Sequence, residues 1–183
     1  MVLGPILLLI ALAIRLDSPG PAVFRQDRVG RGGIVFRIHK FRTMIVDAER
    51  CGPSLTSGAD VRITRIGRHL RRYKLDELPQ LLDVLIGRMS LVGPRPELPK
   101  YVERYPSEIR AKVLSVAPGI TDPASLSFIN ESEILGRSTD PERTYVESVL
   151  PRKLVLAVDY VENRSFLLDL KVIARTLQRI IAA

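Results

Sequence analysis

Apolar residues run without interruption from Met1 to Ile14 and stop at Arg15. A helix that crosses a bilayer needs about 20 such residues. The segment therefore predicts either a core helix or an apolar helix that enters a membrane from one side. Gly4-Pro5 would break any helix arriving from upstream, and neither a basic n-region nor a small-residue cleavage site marks a signal peptide. Asp17-Ser18-Pro19-Gly20-Pro21 is a breaker. Beyond it, Ile34, Phe36 and Ile38 alternate with Val35, Arg37 and His39, the period of a half-buried strand. With Ala22 to Gln26 and the glycine-rich turn at 30–33, this predicts a β-hairpin.

Helical spacing appears at Leu75, Leu78, Leu81, Leu82, Leu85 and Ile86 and predicts an amphipathic helix from about Asp76 to Ile86. Pro79 then belongs in its first turn. Before it, Thr64 is placed to cap a short helix with Ile66, Leu70 and Tyr73 inward and Arg65, Arg68 and Arg72 outward. Residues 51–61 lack periodicity and read as loop. Pro99 to Val116 is helical in character and ends at Pro118-Gly119; residues 122–136 read as loop with a short helix. Asp140-Pro141 supplies an N-cap and an N1 proline for a helix that Pro151 interrupts or restarts. In the last helix Phe166, Leu170, Ile173, Leu177 and Ile180 share a face, with Lys171, Arg175 and Arg179 on another. Such a basic amphipathic helix suits an anionic membrane or packing on the domain. The sum is an α+β fold, a mostly helical single domain with a small β-hairpin.

The 183 residues suffice for one domain with its own core. Charge changes the picture more: 28 Lys and Arg face 20 Asp and Glu, a formal net charge of +8. That excess implies an anionic partner, whether nucleic acid, membrane surface or phosphorylated ligand. The single Cys51 excludes an intrachain disulfide framework and a thiolate metal cluster, and a reducing, cytoplasmic setting fits. His39 has no second ligand at metal spacing and receives no catalytic role. The glycines at 30, 32 and 33 read as a plain turn, since no helix follows to cradle a phosphate.

The cationic run from Arg65 to Lys74 ends in the adjacent carboxylates Asp76 and Glu77. At a helix N-terminus, free N–H groups and the dipole favour negative charge. Taken alone, the simpler reading makes Asp76 the N-cap and Glu77 a solvated acid. Arg95 lies between Pro94 and Pro96, so its backbone is fixed before any ligand arrives. That suits a gripping residue and equally a rigid loop.

Several stretches together resemble the bacterial sugar transferase family, the monotopic phosphoglycosyl transferases. They are Ser18 to Gln26, Phe36 to Met44, Thr64 to Gly67, Leu75-Asp76-Glu77-Leu78-Pro79-Gln80, Met89 to Pro96, Pro118 to Thr121 and Phe166 to Lys171, in order along nearly the whole chain. The resemblance implies transfer of a sugar 1-phosphate from a UDP-sugar donor to a membrane polyprenyl (undecaprenyl) phosphate, with release of UMP, as the first step of exopolysaccharide, O-antigen or glycoprotein glycan synthesis. It also implies Mg²⁺, with Asp76 as nucleophile and Glu77, alongside Asp76, holding the metal. Arg71 and Arg95 match phosphate-binding positions, with Pro94 beside the latter, and Lys40 and Arg42 are further candidates for the cationic rim. Such chemistry suits these residue types. A carboxylate with an ordinary pKa of about 3.9 attacks without a general base. Mg²⁺ and arginines can neutralise the phosphate oxygens and the leaving group.

The resemblance further implies an apolar membrane-associated segment at 1–15 and a catalytic domain at 16–183, on the cytoplasmic face of the bacterial inner membrane against anionic lipid. The segment would be a re-entrant helix, truncated here, because in the family its first arm precedes the position of Met1 and Gly4-Pro5 falls where a Ser-Pro break joins the arms. A second departure follows Ile120-Thr121. Many members read Gly-Trp-Ala-Gln there with an arginine before the Pro-Gly, where this chain has Asp122-Pro123-Ala124-Ser125 and Ala117, which bears on the sugar or nucleotide accepted. Two other readings compete. One is a catalytically degenerate membrane-associated partner. The other is a basic nucleic-acid-binding module using Arg62 to Lys74, but aromatics are 5% of residues, so base stacking is poorly served and no nucleic acid is expected.

Overall fold

The computed structural model describes residues 3–182 except 49, 54, 59 and 129. Helix α1 (Leu3–Asp17) leads into strands β1 (Val23–Val29) and β2 (Val35–Phe41). The strands pair antiparallel from Val23↔Phe41 to Val29↔Val35, so the expected hairpin is present. Its connection is a 3₁₀ turn at Arg31–Gly33 in which Gly32 and Gly33 take positive φ, a conformation glycine adopts without steric cost. Arg42, just past β2, turns its guanidinium back onto the carbonyls of Ser18, Pro19 and Pro21 and the hydroxyl of Ser18, at 2.6–2.9 Å. The breaker after α1 is therefore held by the end of the hairpin.

Helix α2 (Arg65–Arg72) begins where Thr64 Oγ1 accepts from the Gly67 N–H at 3.0 Å, and Asp17 at the end of α1 accepts from the Ile66 N–H at 3.0 Å. Two of the helix's orphan donors are thus satisfied, one of them across the chain. Leu70 packs with Ile14 and Phe41, and Ile66 lies against them. Arg65, Arg68 and Arg72 face out as expected, but Tyr73 does too, because α2 has ended before it.

The predicted leucine helix is the main correction. Lys74 takes the left-handed conformation (φ 55°), a 3₁₀ turn follows at Leu75–Glu77, and helix α3 covers only Gln80–Leu85. Its amphipathicity is inverted. Gln80 and Asp83 face inward, whereas Leu82, Leu85 and Ile86 are exposed, Leu85 at 81%. Asp83 is fully buried because it accepts from both the backbone N–H and the ring Nδ1 of His39 on β2, at 3.0 and 2.9 Å. Buried polar groups persist where they are paired in this way.

A second, unanticipated sheet pairs β3 (Ser90–Val92) in parallel with β4 (Gly119–Thr121). Two backbones meet so closely at Gly93 and Gly119 that a Cβ on Gly119 would lie 2.1 Å from the Gly93 nitrogen. Between these strands come α4 (Pro99–Val102) and α5 (Ser107–Val113); after them α6 (Pro123–Ser127) and α7 (Glu131–Gly136) occupy the expected loop. Helix α8 (Pro141–Thr144) is capped by Asp140 as expected. It passes through a π-turn at Tyr145–Val149 into α9 (Leu150–Asn163), with Pro151 in the opening turn of α9, so the proline restarts the helix. The main core joins Tyr101, Val102, Val113, Leu135, Tyr145, Val149 and Leu154 beneath β1. Helix α10 (Phe166–Ile181) packs through Leu168, Val172 and Ile173. The expected stripe is only partly used: Phe166, Leu170 and Leu177 stay exposed. No described helix is long and apolar enough to cross a membrane.

Candidate active site

Asp76 and Glu77 lie in the 3₁₀ turn after Lys74, and both are buried. Neither caps a helix, which removes the simpler reading of the stretch. The left-handed Lys74 reverses the chain out of α2, and a non-glycine residue held there costs of order 1 kcal/mol. That reversal turns both carboxylates inward beneath β2.

Glu77 is the hub. Its Oε1 accepts from Arg95 at 2.6 Å and from Lys40 at 3.0 Å. Lys40 stands on β2, whose register is fixed by the neighbouring His39–Asp83 contact. Arg95 stands on the Pro94-Arg95-Pro96 turn, pinned by bonds from the Gly119 N–H to the Pro94 carbonyl and from the Arg95 N–H to Asp122, at 3.0 and 3.4 Å. Burial pushes the Glu77 carboxyl up, but the charges of Arg95 and Lys40 outweigh it and hold the group well below the usual glutamate range. In return the charge of Glu77 raises Arg95. Lys40 is lowered by burial, which the charge of Glu77 partly offsets.

Asp76 has the opposite balance. Burial raises its pKa, the Glu77 charge adds to this, and Lys40 opposes it. Its Oδ1 is buried without a hydrogen-bond partner among the described residues. An unpaired buried carboxylate oxygen beside a stabilised carboxylate is the unusual feature of the turn, since such atoms are normally satisfied.

The carboxylates line a cavity of about 950 Å³, at the upper end of what small-ligand sites enclose. Among the described residues, eleven Lys and Arg line it against five Asp and Glu. Arg71 enters from α2, its guanidinium held by the hydroxyls of Thr43 and Thr56 at 2.8 and 3.1 Å. Both of these partners are neutral, and among the described residues the acids that act on Arg71, chiefly Asp76 and Asp60, do so through space. Of the residues singled out in the sequence, Asp76, Glu77, Lys40, Arg71 and Arg95 converge on this space. Pro94 is buried and acts through its backbone. Arg42 lines the cavity, but its guanidinium is spent on the 18–21 carbonyls. The cationic run is also divided, since Arg62 is buried in a fork with Asp60 and does not continue the exposed face of α2.

Residues 1–183 match the bacterial sugar transferase family throughout. The chain belongs to that family. It is 40% identical over 177 residues to a UDP-glucose:undecaprenyl-phosphate glucose-1-phosphate transferase of Caulobacter vibrioides, covering 94% of this chain and 61% of that one. It is 36% identical over 180 residues to a UDP-N-acetylgalactosamine-undecaprenyl-phosphate N-acetylgalactosaminephosphotransferase of Aeromonas hydrophila, covering 97% of this chain and 40% of that one. With the UDP-glucose:undecaprenyl-phosphate glucose-1-phosphate transferase of Escherichia coli it shares 34% over 180 residues, 96% of this chain and 36% of that one. This bacterial sugar transferase chain thus spans less than two thirds of the length of each of these relatives.

Sequence reasoning missed two parts of the site. His39 and Asp83 locate Lys40, yet they pair across 44 residues and no local pattern announces them. Glu97, Tyr145 and Lys153 form a buried cluster on another wall of the cavity, with Tyr145 Oη donating to Glu97 at 2.6 Å and Lys153 Nζ to Glu131 at 2.9 Å. The only local signal was the position of Glu97 just after the Pro-Arg-Pro turn.

Proposed function

We propose that this chain carries out sugar 1-phosphate transfer from a UDP-sugar to a polyprenyl phosphate at a membrane surface, with Asp76 as the covalent nucleophile. The observation that carries the reading is the buried oxygen of Asp76 beside Glu77, without a hydrogen-bond partner among the described residues, in a cavity whose described cations outnumber its described acids by more than two to one. An oxygen of Asp76 attacks the phosphorus that bears the sugar. The bond to the UMP oxygen breaks, and UMP leaves with the electron pair. An oxygen of the lipid phosphate then attacks the same phosphorus, breaking the bond to Asp76 and restoring its carboxylate. Both nucleophiles are anions, so neither half needs a histidine base.

Arg95 and Arg71 are the groups that bind and orient the diphosphate, with Lys40 steadying Glu77 between them. Asp76 and Glu77 fit Mg²⁺: both are hard oxygen donors, Asp76 Oδ1 has no hydrogen-bond partner among the described residues, and the contacts of Glu77 with Arg95 and Lys40 do not use Oε2. Two carboxylates suit an ion that draws its other ligands from water and substrate phosphate. When bound, it would neutralise charge on the diphosphate.

The membrane assignment rests on apolar surface. Helix α1 exposes Leu8, Leu9, Leu12 and Leu16, and α3 exposes Leu82, Leu85 and Ile86. At 15 residues α1 is about 22 Å long, short of the roughly 30 Å hydrocarbon core, so in this reading residues 1–15 enter the bilayer without crossing it. The faces are proposed to meet the cytoplasmic leaflet, with the catalytic domain at 16–183 beneath. The deciding experiment is UMP release from UDP-sugars with Mg²⁺ and polyprenyl phosphate, followed by mass spectrometry of protein quenched with donor alone. A phosphosugar adduct on Asp76 is expected; turnover without that adduct would overturn the mechanism.

A further inference from the structure

The cavity has two chemically different walls. Among the described residues, positions 40–95 contribute nine of its cations and three of its acids. On the other wall Arg28 and Lys153 are balanced by Glu97 and Glu131, in contacts of 2.9–3.8 Å, so that side carries no net charge. A diphosphate belongs on the first wall. The second has no use for an anion, yet it holds a dense hydrogen-bonding cluster.

That cluster is not accounted for by stability, because buried ion pairs seldom outperform apolar packing of the same volume. Its geometry also depends on the π-turn at Tyr145–Val149. Each π-turn takes up about one residue more than an α-turn, and this brings Tyr145 and Lys153, eight residues apart, onto the same side to share Glu97. π-Turns inside α-helices are often found at functional sites. Ser125, on α6, lines the same wall, and its buried Oγ has no hydrogen-bond partner among the described residues. Phe128 adds an apolar ring beside it.

We propose that this wall is the subsite for the sugar of the donor, with Ser125, Glu131, Tyr145 and Lys153 bonding its hydroxyls and Phe128 covering an apolar edge. A sugar is neutral and rich in groups that both donate and accept. It would satisfy Ser125 without disturbing the charge balance of the cluster. The assignment rests on the donor reading above.

The test is equilibrium binding of UDP, UDP-glucose and UDP-galactose to this chain with Mg²⁺, using wild type, Ser125→Ala and Glu131→Gln. Ser125→Ala keeps the backbone N–H that bonds Asp122. The wild type is expected to discriminate between the two epimers, and each variant to change that ratio by about tenfold, the worth of one hydrogen bond, with UDP affinity unmoved. Lack of discrimination by the wild type, an unchanged ratio in both variants, or a loss shared equally by UDP would overturn the subsite; the last would point to the nucleoside or to a merely structural role. If discrimination and its loss are seen but no donor yields UMP, the transfer reading fails and the sugar subsite stands.

Discussion

Replacing Glu77 by glutamine tests the electrostatic hub directly. The side chain keeps its shape and an acceptor oxygen, but Arg95 and Lys40 lose the charge they share. Each contact is charge-assisted and contributes about 1.5–3 kcal/mol. Breaking a buried ion pair from one side costs about 3–5 kcal/mol. Because glutamine can still accept from Arg95, we expect about 3 kcal/mol, roughly two powers of ten in the folding equilibrium. For a chain of this size that lowers Tm by about 6–12 °C. The pH dependence identifies the cause. Arg95 and Lys40 hold the folded-state pKa of Glu77 below its ordinary 4.5, so its contribution is fully present above the unfolded value and fades as pH falls through the folded one. The stability gap between wild type and Glu77→Gln, read by chemical denaturation, should be constant from pH 7 to about 5 and close at lower pH. A gap that persists undiminished to pH 3, or is absent at pH 7, would refute the reasoning.

Other outcomes follow from the same geometry. Asp76→Asn should reduce UMP release by at least about a thousandfold while leaving donor binding in place; near-normal turnover would remove Asp76 from the mechanism. Asp83→Ala should cost about 2–4 kcal/mol by stranding the His39 N–H. Asp83→Asn should cost under about 1.5 kcal/mol, since its amide oxygen can take the N–H while its NH₂ faces an unprotonated Nδ1; equal Tm losses would count against the latch. Gly67→Ala places a Cβ 2.1 Å from the Thr43 carbonyl oxygen and should cost about 3 kcal/mol or more; an unshifted Tm would show that α2 can move away.

The hairpin, the caps at Thr64 and Asp140 and the restart at Pro151 were legible because each depends on residues a few positions apart. The leucine-rich segment was not. Periodicity finds a face at Leu78, Leu82 and Leu85 but does not say whether protein or something else lies against it. Here polar Gln80 and Asp83 turn inward because a histidine 44 residues earlier awaits Asp83. The β3–β4 pair escaped for a similar reason: three residues a side show no alternation, and the contact depends on two distant glycines. In the site, Asp76 and Glu77 were found through the family likeness, since local rules alone made them helix-capping acids. Arg42 shows the limit of that likeness, for its position suggested a phosphate ligand and its hydrogen bonds go to the main chain.

The π-turn between α8 and α9 has a consequence for how sequences of this shape are compared. One additional residue inside a continuous helix advances every later side chain by about 100°. A single helical period fitted across residues 141–163 therefore places the inward face correctly on only one side of Tyr145–Val149. Deleting one residue there would restore uniform winding and swing Lys153 away from Glu97 with every remaining side chain intact. In this stretch the information lies in the length of the chain as much as in its letters.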